Sequence, residues 1–174
     1  MALLERLFGA RSRRQEMAPL YRAIVAEARD PGWFTTGQAP DTPDGRFDML
    51  AAVLSLALLR LERDGARYAA ESALLAELFI DDMDGQLRQS GIGDVVVGKH
   101  IGRMMGALGG RLTAYRDALD EEGGLETALE RNLYRGDPPG RNAIGYVETR
   151  LRALAEALDA IEGESLVTGR WPRR

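Results

Sequence analysis

The chain has 174 residues, no cysteine, one histidine and a formal charge of −4. This length fits one domain with a sizeable core. The lack of cysteine excludes disulfide frameworks, thiolate metal sites and cysteine nucleophiles. The acidic balance argues against the broad basic surface that general nucleic-acid binding needs, so DNA is not an expected partner. The longest apolar run, residues 49–59, is about half of the roughly 20 residues that a membrane-spanning helix requires.

Helical periodicity dominates the chain, because apolar residues recur at spacings of three and four and strand-type alternation is nearly missing. The pattern predicts an all-α, compact single-domain bundle of about six helices. A basic amphipathic segment is expected at 1–17, the helical body at 18–162 and a basic tail at 163–174. Leucines and Phe8 share one side of the first segment, which fits a membrane-surface or targeting helix as well as a frayed terminus.

The first helix of the body is predicted at 18–29, with Pro19 in its first turn and a stop at Asp30. Residues 31–45 are rich in proline and glycine and are predicted to form a loop between the first and second helices, without regular helix. Trp33 and Phe34 are expected to hold this loop against the core.

Five helices are predicted after the loop. Their expected ranges are 46–63, 67–89, 95–120, 125–134 and 143–161. The helix at 46–63 has so wide an apolar face that it is expected at the centre of the bundle. The helices at 67–89 and 95–120 are expected to pack antiparallel, since their linker is short.

Residues that could carry catalysis or bind a metal do not occur at workable spacing. His100 has no second histidine or cysteine with which to share a metal, and is interpreted as a surface or capping residue. The acidic stretch 81–85 does not fit a calcium loop and is interpreted as a solvated patch or a docking patch for basic segments. Residues 91–94 fit a turn between helices. No cofactor is expected, and the chain is not expected to be an enzyme.

Glycine recurs every fourth residue at Gly98, Gly102, Gly106 and Gly110. Each costs about 1 kcal/mol of helix propensity, so close approach of another helix should compensate. That helix could belong to the domain or to a partner, such as a hydrophobic client helix.

The sequence ends in residues 170–174, a basic stretch around one tryptophan that fits either contact with anionic lipid or a disordered tail.

Four segments stand in a characteristic order: PDTPDGRFDML at 40–50, DMDGQLRQSGIGDVVVGKHIGRM at 82–104, GRLTAYRDAL at 110–119 and RNLYRG at 131–136. Over about residues 19–136 the chain thereby resembles the ubiquinol-cytochrome c chaperone family. It departs from the family pattern at His100 and Gly102, where basic residues are commoner, and at Gly109, where the family has an aromatic residue.

The resemblance implies a non-catalytic assembly chaperone that binds cytochrome b during biogenesis of ubiquinol-cytochrome c reductase, at the cytoplasmic face of the membrane. A small co-chaperone and weak contact with an anionic membrane surface are left open as further partners. The short leader indicates a bacterial cytoplasmic protein, with peripheral attachment to the inner membrane also left open. The alternative is a peripheral membrane adaptor that binds anionic lipid and another client.

Candidates for partner binding are Asp41, Asp44, Arg46, Asp48, Asp82, Asp84, Arg88, Lys99, Gly102, Met105 and Gly106. The charged residues of 41–48 are expected to form a polar recognition rim beside Phe47, which is itself expected in the core. The glycines and the flanking Met104 and Met105 are expected to form a groove that holds an apolar client segment adaptably. A helical enzyme acting on a quinone or isoprenoid is a third, disfavoured class, because convergent carboxylates are missing.

Overall fold

The structure, a computed structural model, describes the backbone of residues 2–89, 94–120 and 124–173 and the side chains of 13–86, 102–120 and 124–173. These ranges contain helices and no strand, which confirms the predicted all-α bundle. The α-helices in the described ranges are α1 Ala2–Ala28, α2 Pro31–Thr35, α3 Pro43–Glu62, α4 Ala69–Gln89, α5 Asp94–Asp120, α6 Gly124–Asn132, α7 Arg141–Asp159 and α8 Gly163–Val167. A 3-10 turn, Gly65–Tyr68, precedes α4.

The prediction that residues 31–45 contain no regular helix is wrong, because α2 forms at their start. Asp30 caps this helix by accepting a hydrogen bond from the Gly32 amide at 2.8 Å, and Pro31 stands at the first helical position, where its missing donor costs nothing. The first helix is also longer than predicted. It begins at Ala2, so Pro19 lies inside α1 and not in its first turn.

Helix α3 is the centre of the bundle, as its wide apolar face predicts. It contacts α1, α4, α5 and α7, and most of its residues are buried. Its polar groups in the core are satisfied. The Ser55 hydroxyl donates to the Ala51 carbonyl at 2.7 Å, and the buried Arg60 guanidinium donates to the Ile161 carbonyl just after α7 at 2.7 Å.

The corner between α1 and α2 is fixed by Trp33, whose side chain is fully buried. Its indole nitrogen donates to the Glu27 carbonyl oxygen at 2.8 Å. Arg150 on α7 stacks its guanidinium 4.0 Å from the Trp33 ring centroid and forms ion pairs with Glu27 at 3.0 Å and Asp30 at 2.7 Å. Helix α2 is therefore held rigidly against the core by contacts from two other helices.

The C-terminal stretch lies against the domain. Helix α8 forms within the residues predicted as a basic tail, and it contacts α1. Gly169 has a φ of +96° and approaches Pro19 closely. Trp171 is partly buried against the core. Trp171, the aromatic residue considered for lipid contact, therefore packs largely against the protein itself.

In the part of the chain that the structure describes, no helix combines the length and the apolar character needed to cross a bilayer.

Candidate partner-binding surfaces

A pocket with a volume of about 480 Å³ opens between α1, α2, α3 and α4. Its apolar lining consists of Val25, Ala28, Pro31, Phe34, Phe47, Leu50 and Met83. Its polar lining consists of Arg29, Thr35, Asp41, Arg46 and Gln86. An apolar cavity of this size with a few polar groups at its mouth is typical of binding sites in proteins.

Two of the predicted partner-binding residues, Asp41 and Arg46, lie at this pocket and form an ion pair of 2.6 Å. The hydrogen bond from Arg46 lowers the pKa of the Asp41 carboxyl. Thr42 between them caps α3 by accepting a hydrogen bond from the Gly45 amide at 3.1 Å, which positions both charged residues at the mouth. Both side chains are more than half exposed, so water screens their attraction and a partner can rearrange the pair at little cost.

Phe47 forms part of the pocket wall. Its side chain is half-buried and packs against the core, where its ring centroid lies 5.5 Å from that of Phe79. The guanidinium carbon of Arg111 lies 5.4 Å from the Phe47 ring centroid. The sequence places Phe47 in the core, whereas the structure leaves part of its side chain for the pocket.

Asp48 is not part of an exposed rim, because its side chain is completely buried. It accepts hydrogen bonds from Arg111 Nη2 at 2.5 Å and from Arg135 Nε at 2.6 Å. Burial raises the pKa of the Asp48 carboxyl, and the two guanidiniums act in the opposite direction. Asp44 is exposed and pairs with Arg135 at 2.8 Å. Asp48 thus links α3 to α5 and to the segment after α6 through ion pairs. Its role is therefore structural.

The segment after α6 closes this network. Arg135 adopts a left-handed φ of +54°, which turns the chain back toward α3. The Tyr134 hydroxyl donates to the carbonyl of Gly37, just after α2, at 2.6 Å. Sequence analysis did not identify Arg111 or Arg135 as partners of Asp48, although both lie in the segments that carry the family resemblance.

The acidic stretch on α4 joins α4 to α1. Asp82 accepts hydrogen bonds from the Tyr21 hydroxyl at 2.9 Å and from Gln86 at 3.2 Å, and Asp81 pairs with Arg14. Burial raises the pKa of Tyr21, and Asp82 adds to the increase. Asp84 is half-buried. Nowhere in the described residues do three or more metal-ligating side chains cluster.

One face of α5 is open to solvent. Gly102, Gly106 and Gly110 are exposed. Apart from their chain neighbours and the adjoining backbone of α5, no described heavy atom lies within 4 Å of a Cβ built on any of them. Among the described residues, therefore, no neighbouring helix of the domain packs closely on these three glycines. Met105, on the same stretch, is 45% exposed. Gly98, Arg88 and Lys99 lie outside the residues whose side-chain surroundings are described.

Of the twelve residues that line the pocket, only Asp41 and Arg46 were predicted as candidates; the ten others include Arg29, Phe34, Thr35, Met83 and Gln86. The available signal was the pair Trp33 and Phe34, since adjacent residues on a helix point in directions about 100° apart. Recognition of α2 would have directed Phe34 away from Trp33 and toward the surface.

Comparison with known proteins agrees with this architecture. The family model described as ubiquinol-cytochrome C chaperone matches residues 35–173. The crystal structure of the Cbp3 homolog from Brucella abortus is 30% identical and superimposes with a TM-score of 0.82, covering 100% of this chain and 97% of that one. No curated protein matches the chain. The chain therefore belongs to the ubiquinol-cytochrome c chaperone family.

Proposed function

We propose that this chain is a non-catalytic assembly chaperone that binds cytochrome b during biogenesis of ubiquinol-cytochrome c reductase. Family membership supports the chaperone role. The observation that carries the binding role is the open face of α5, where Met105 is 45% exposed beside glycines with no covering group in the described part of the chain. We further propose that the chain acts in the bacterial cytoplasm, against the inner membrane that contains its client.

The α5 face has the properties that a hydrophobic client helix requires. Glycines at 102 and 106 remove the side chains that would hold two helices apart, so a client backbone can approach closely. The Met105 thioether is flexible and polarisable, and therefore adapts to apolar side chains of different shapes. Met104, the preceding residue, is partly buried against the core. Each glycine lowers helix propensity by about 1 kcal/mol. Client contact supplies the compensation that none of the described residues provides.

Leucine at position 102 or 106 tests this proposal, because the open space around both glycines lets the variants fold while blocking close approach. We expect Gly102→Leu and Gly106→Leu to reduce capture of cytochrome b by about tenfold, which corresponds to about 1.4 kcal/mol. Gly145→Leu is the matched control, since Gly145 is another helical glycine with open space at its Cβ, on α7. Undiminished capture by both α5 variants would remove this face from the client site.

A further inference from the structure

We infer that the pocket between α1, α2, α3 and α4 binds a protein segment that presents large apolar side chains next to a carboxylate. The apolar side chains enter the pocket, and the carboxylate pairs with Arg29 at its mouth. The inference rests on the proposed function in one respect, namely that the occupant is a protein. It concerns a surface other than the open face of α5.

The lining of the pocket favours an apolar occupant. Its volume of about 480 Å³ exceeds that of any single side chain, so more than one apolar group is needed to fill it. Val25, Phe34 and Phe47 line it and are only half-buried, so part of their apolar surface faces water. Covering such surface is favourable, and grouped apolar surface of this kind marks interaction sites.

The mouth of the pocket favours a carboxylate. Asp41 and Arg46 neutralise each other in their ion pair. Arg29 is exposed and makes no hydrogen bond or ion pair with any residue whose side chain is described, so its guanidinium is available to a partner at the mouth. The chain as a whole carries a formal charge of −4, so this local positive charge is opposite in sign to the rest of the protein. An acidic group beside the apolar anchor is complementary to it.

The walls of the pocket are fixed before any partner arrives. Trp33 and Arg150 hold α2, which contributes Phe34 and Thr35. Asp48, one residue after Phe47, is locked by two arginines. A preformed pocket spares the partner the ordering cost that a mobile surface would impose.

The test uses the full chain and three probes in titration calorimetry. The first probe is a short helical peptide with phenylalanine and leucine at helical spacing followed by glutamate, the second has lysine in place of that glutamate, and the third is dodecanoate. Thr35→Trp fills the mouth from an exposed position on α2, and Thr36→Trp is its control because Thr36 is exposed but does not line the pocket. Arg22→Ala, two helical turns from Arg29 and also outside the pocket, controls for Arg29→Ala.

We expect the glutamate peptide to bind about fivefold more tightly than the lysine peptide, as a partly exposed ion pair allows. Thr35→Trp should weaken binding by about tenfold and Thr36→Trp should not. Arg29→Ala should abolish the preference for glutamate, and Arg22→Ala should leave it intact. Equal binding of the two peptides, binding of dodecanoate alone, or no binding of any probe would each overturn the inference.

Capture of cytochrome b by the same variants separates this inference from the proposed function. If the unmodified chain captures cytochrome b but binds neither peptide, the pocket assignment fails and the proposed function stands. If the peptides bind as expected but cytochrome b is not captured, the pocket assignment stands and the client is a different protein.

Discussion

Arg135 donates through Nε to the carboxylate of Asp48 at 2.6 Å, although 87 residues separate the two in the sequence. Arg111 supplies a second donor to the same carboxylate. Asp48, Arg111 and Arg135 come from three of the segments that carry the family resemblance, and they meet in the interior. Part of the family pattern therefore specifies the fold that positions the binding surfaces, and not the surfaces themselves.

Removal of the Asp48 carboxylate should destabilise the protein strongly, because two guanidiniums would lose their buried partner. We expect Asp48→Ala to lower the free energy of unfolding by about 3 kcal/mol, the lower end for a broken buried pair, since Arg135 is 48% exposed. Urea unfolding followed by circular dichroism measures the change. Asp44→Ala is the control, because Asp44 pairs with the same arginine at the surface, and its effect should stay within about 0.5 kcal/mol. Equal stability of the two variants would contradict the structural role of the buried Asp48 carboxylate.

Alanine should be tolerated at the open glycines of α5 and should stabilise the isolated chain. Gly102→Ala and Gly106→Ala should each raise the free energy of unfolding by up to about 1 kcal/mol, since alanine has the higher helix propensity and meets open space. Gly45→Ala should lower it, because its Cβ would overlap the Pro40 carbonyl. Thermal unfolding distinguishes these outcomes. A loss of stability at both α5 positions would reveal a neighbour within the chain.

Two buried tyrosines should respond differently to removal of their hydroxyl groups. The Tyr115 hydroxyl is buried without a hydrogen-bond partner among the described residues, so Tyr115→Phe should leave stability unchanged or increase it. Tyr134→Phe should cost about 1 kcal/mol, because it removes the hydrogen bond to the Gly37 carbonyl. Chemical denaturation of both variants measures the difference. A costly Tyr115→Phe together with a neutral Tyr134→Phe would contradict the hydrogen-bond assignment.

Stability should fall steeply in alkaline solution. Burial raises the pKa of Tyr134 to about 12 and raises the pKa values of Tyr21 and Tyr115 as well. In the unfolded chain these tyrosines ionise near pH 10, so between about pH 10 and 12 the unfolded state releases protons that the folded state retains. Each tyrosine then removes about 1.4 kcal/mol of stability per pH unit, and below pH 10 the contribution is fully present.

Urea unfolding between pH 8 and pH 11 measures this decline, and ultraviolet absorption reports tyrosine ionisation in the folded protein. Tyr134→Phe should make the decline less steep. Ordinary ionisation of all the tyrosines in the folded state would show that burial does not protect them.

Much of the fold follows from helical periodicity, which is why the long helices and the central position of α3 were predictable. Helix α2 was missed because its proline and glycine content indicates a loop, whereas the cap at Asp30 and the position of Pro31 favour a helix start. The burial of Asp48 could not be predicted, because a charged residue near a helix start is usually exposed and its two arginine partners are distant in sequence.

The binding surfaces were predictable only in part. The charges of Asp41 and Arg46 and the glycine spacing of α5 can be seen in the sequence. The pocket also needs Arg29, the residue directly after α1, and Met83 from α4, and only tertiary packing brings them together. Whether the glycines faced a neighbour or solvent was likewise a question of packing, and the structure leaves them exposed.

The most direct test of the proposed function is affinity capture of the tagged chain from its own membranes in mild detergent, with identification of the bound proteins. We expect recovery of newly made cytochrome b without the mature ubiquinol-cytochrome c reductase. Recovery of lipid or unrelated proteins, with no cytochrome b, would contradict it and would favour a peripheral membrane adaptor.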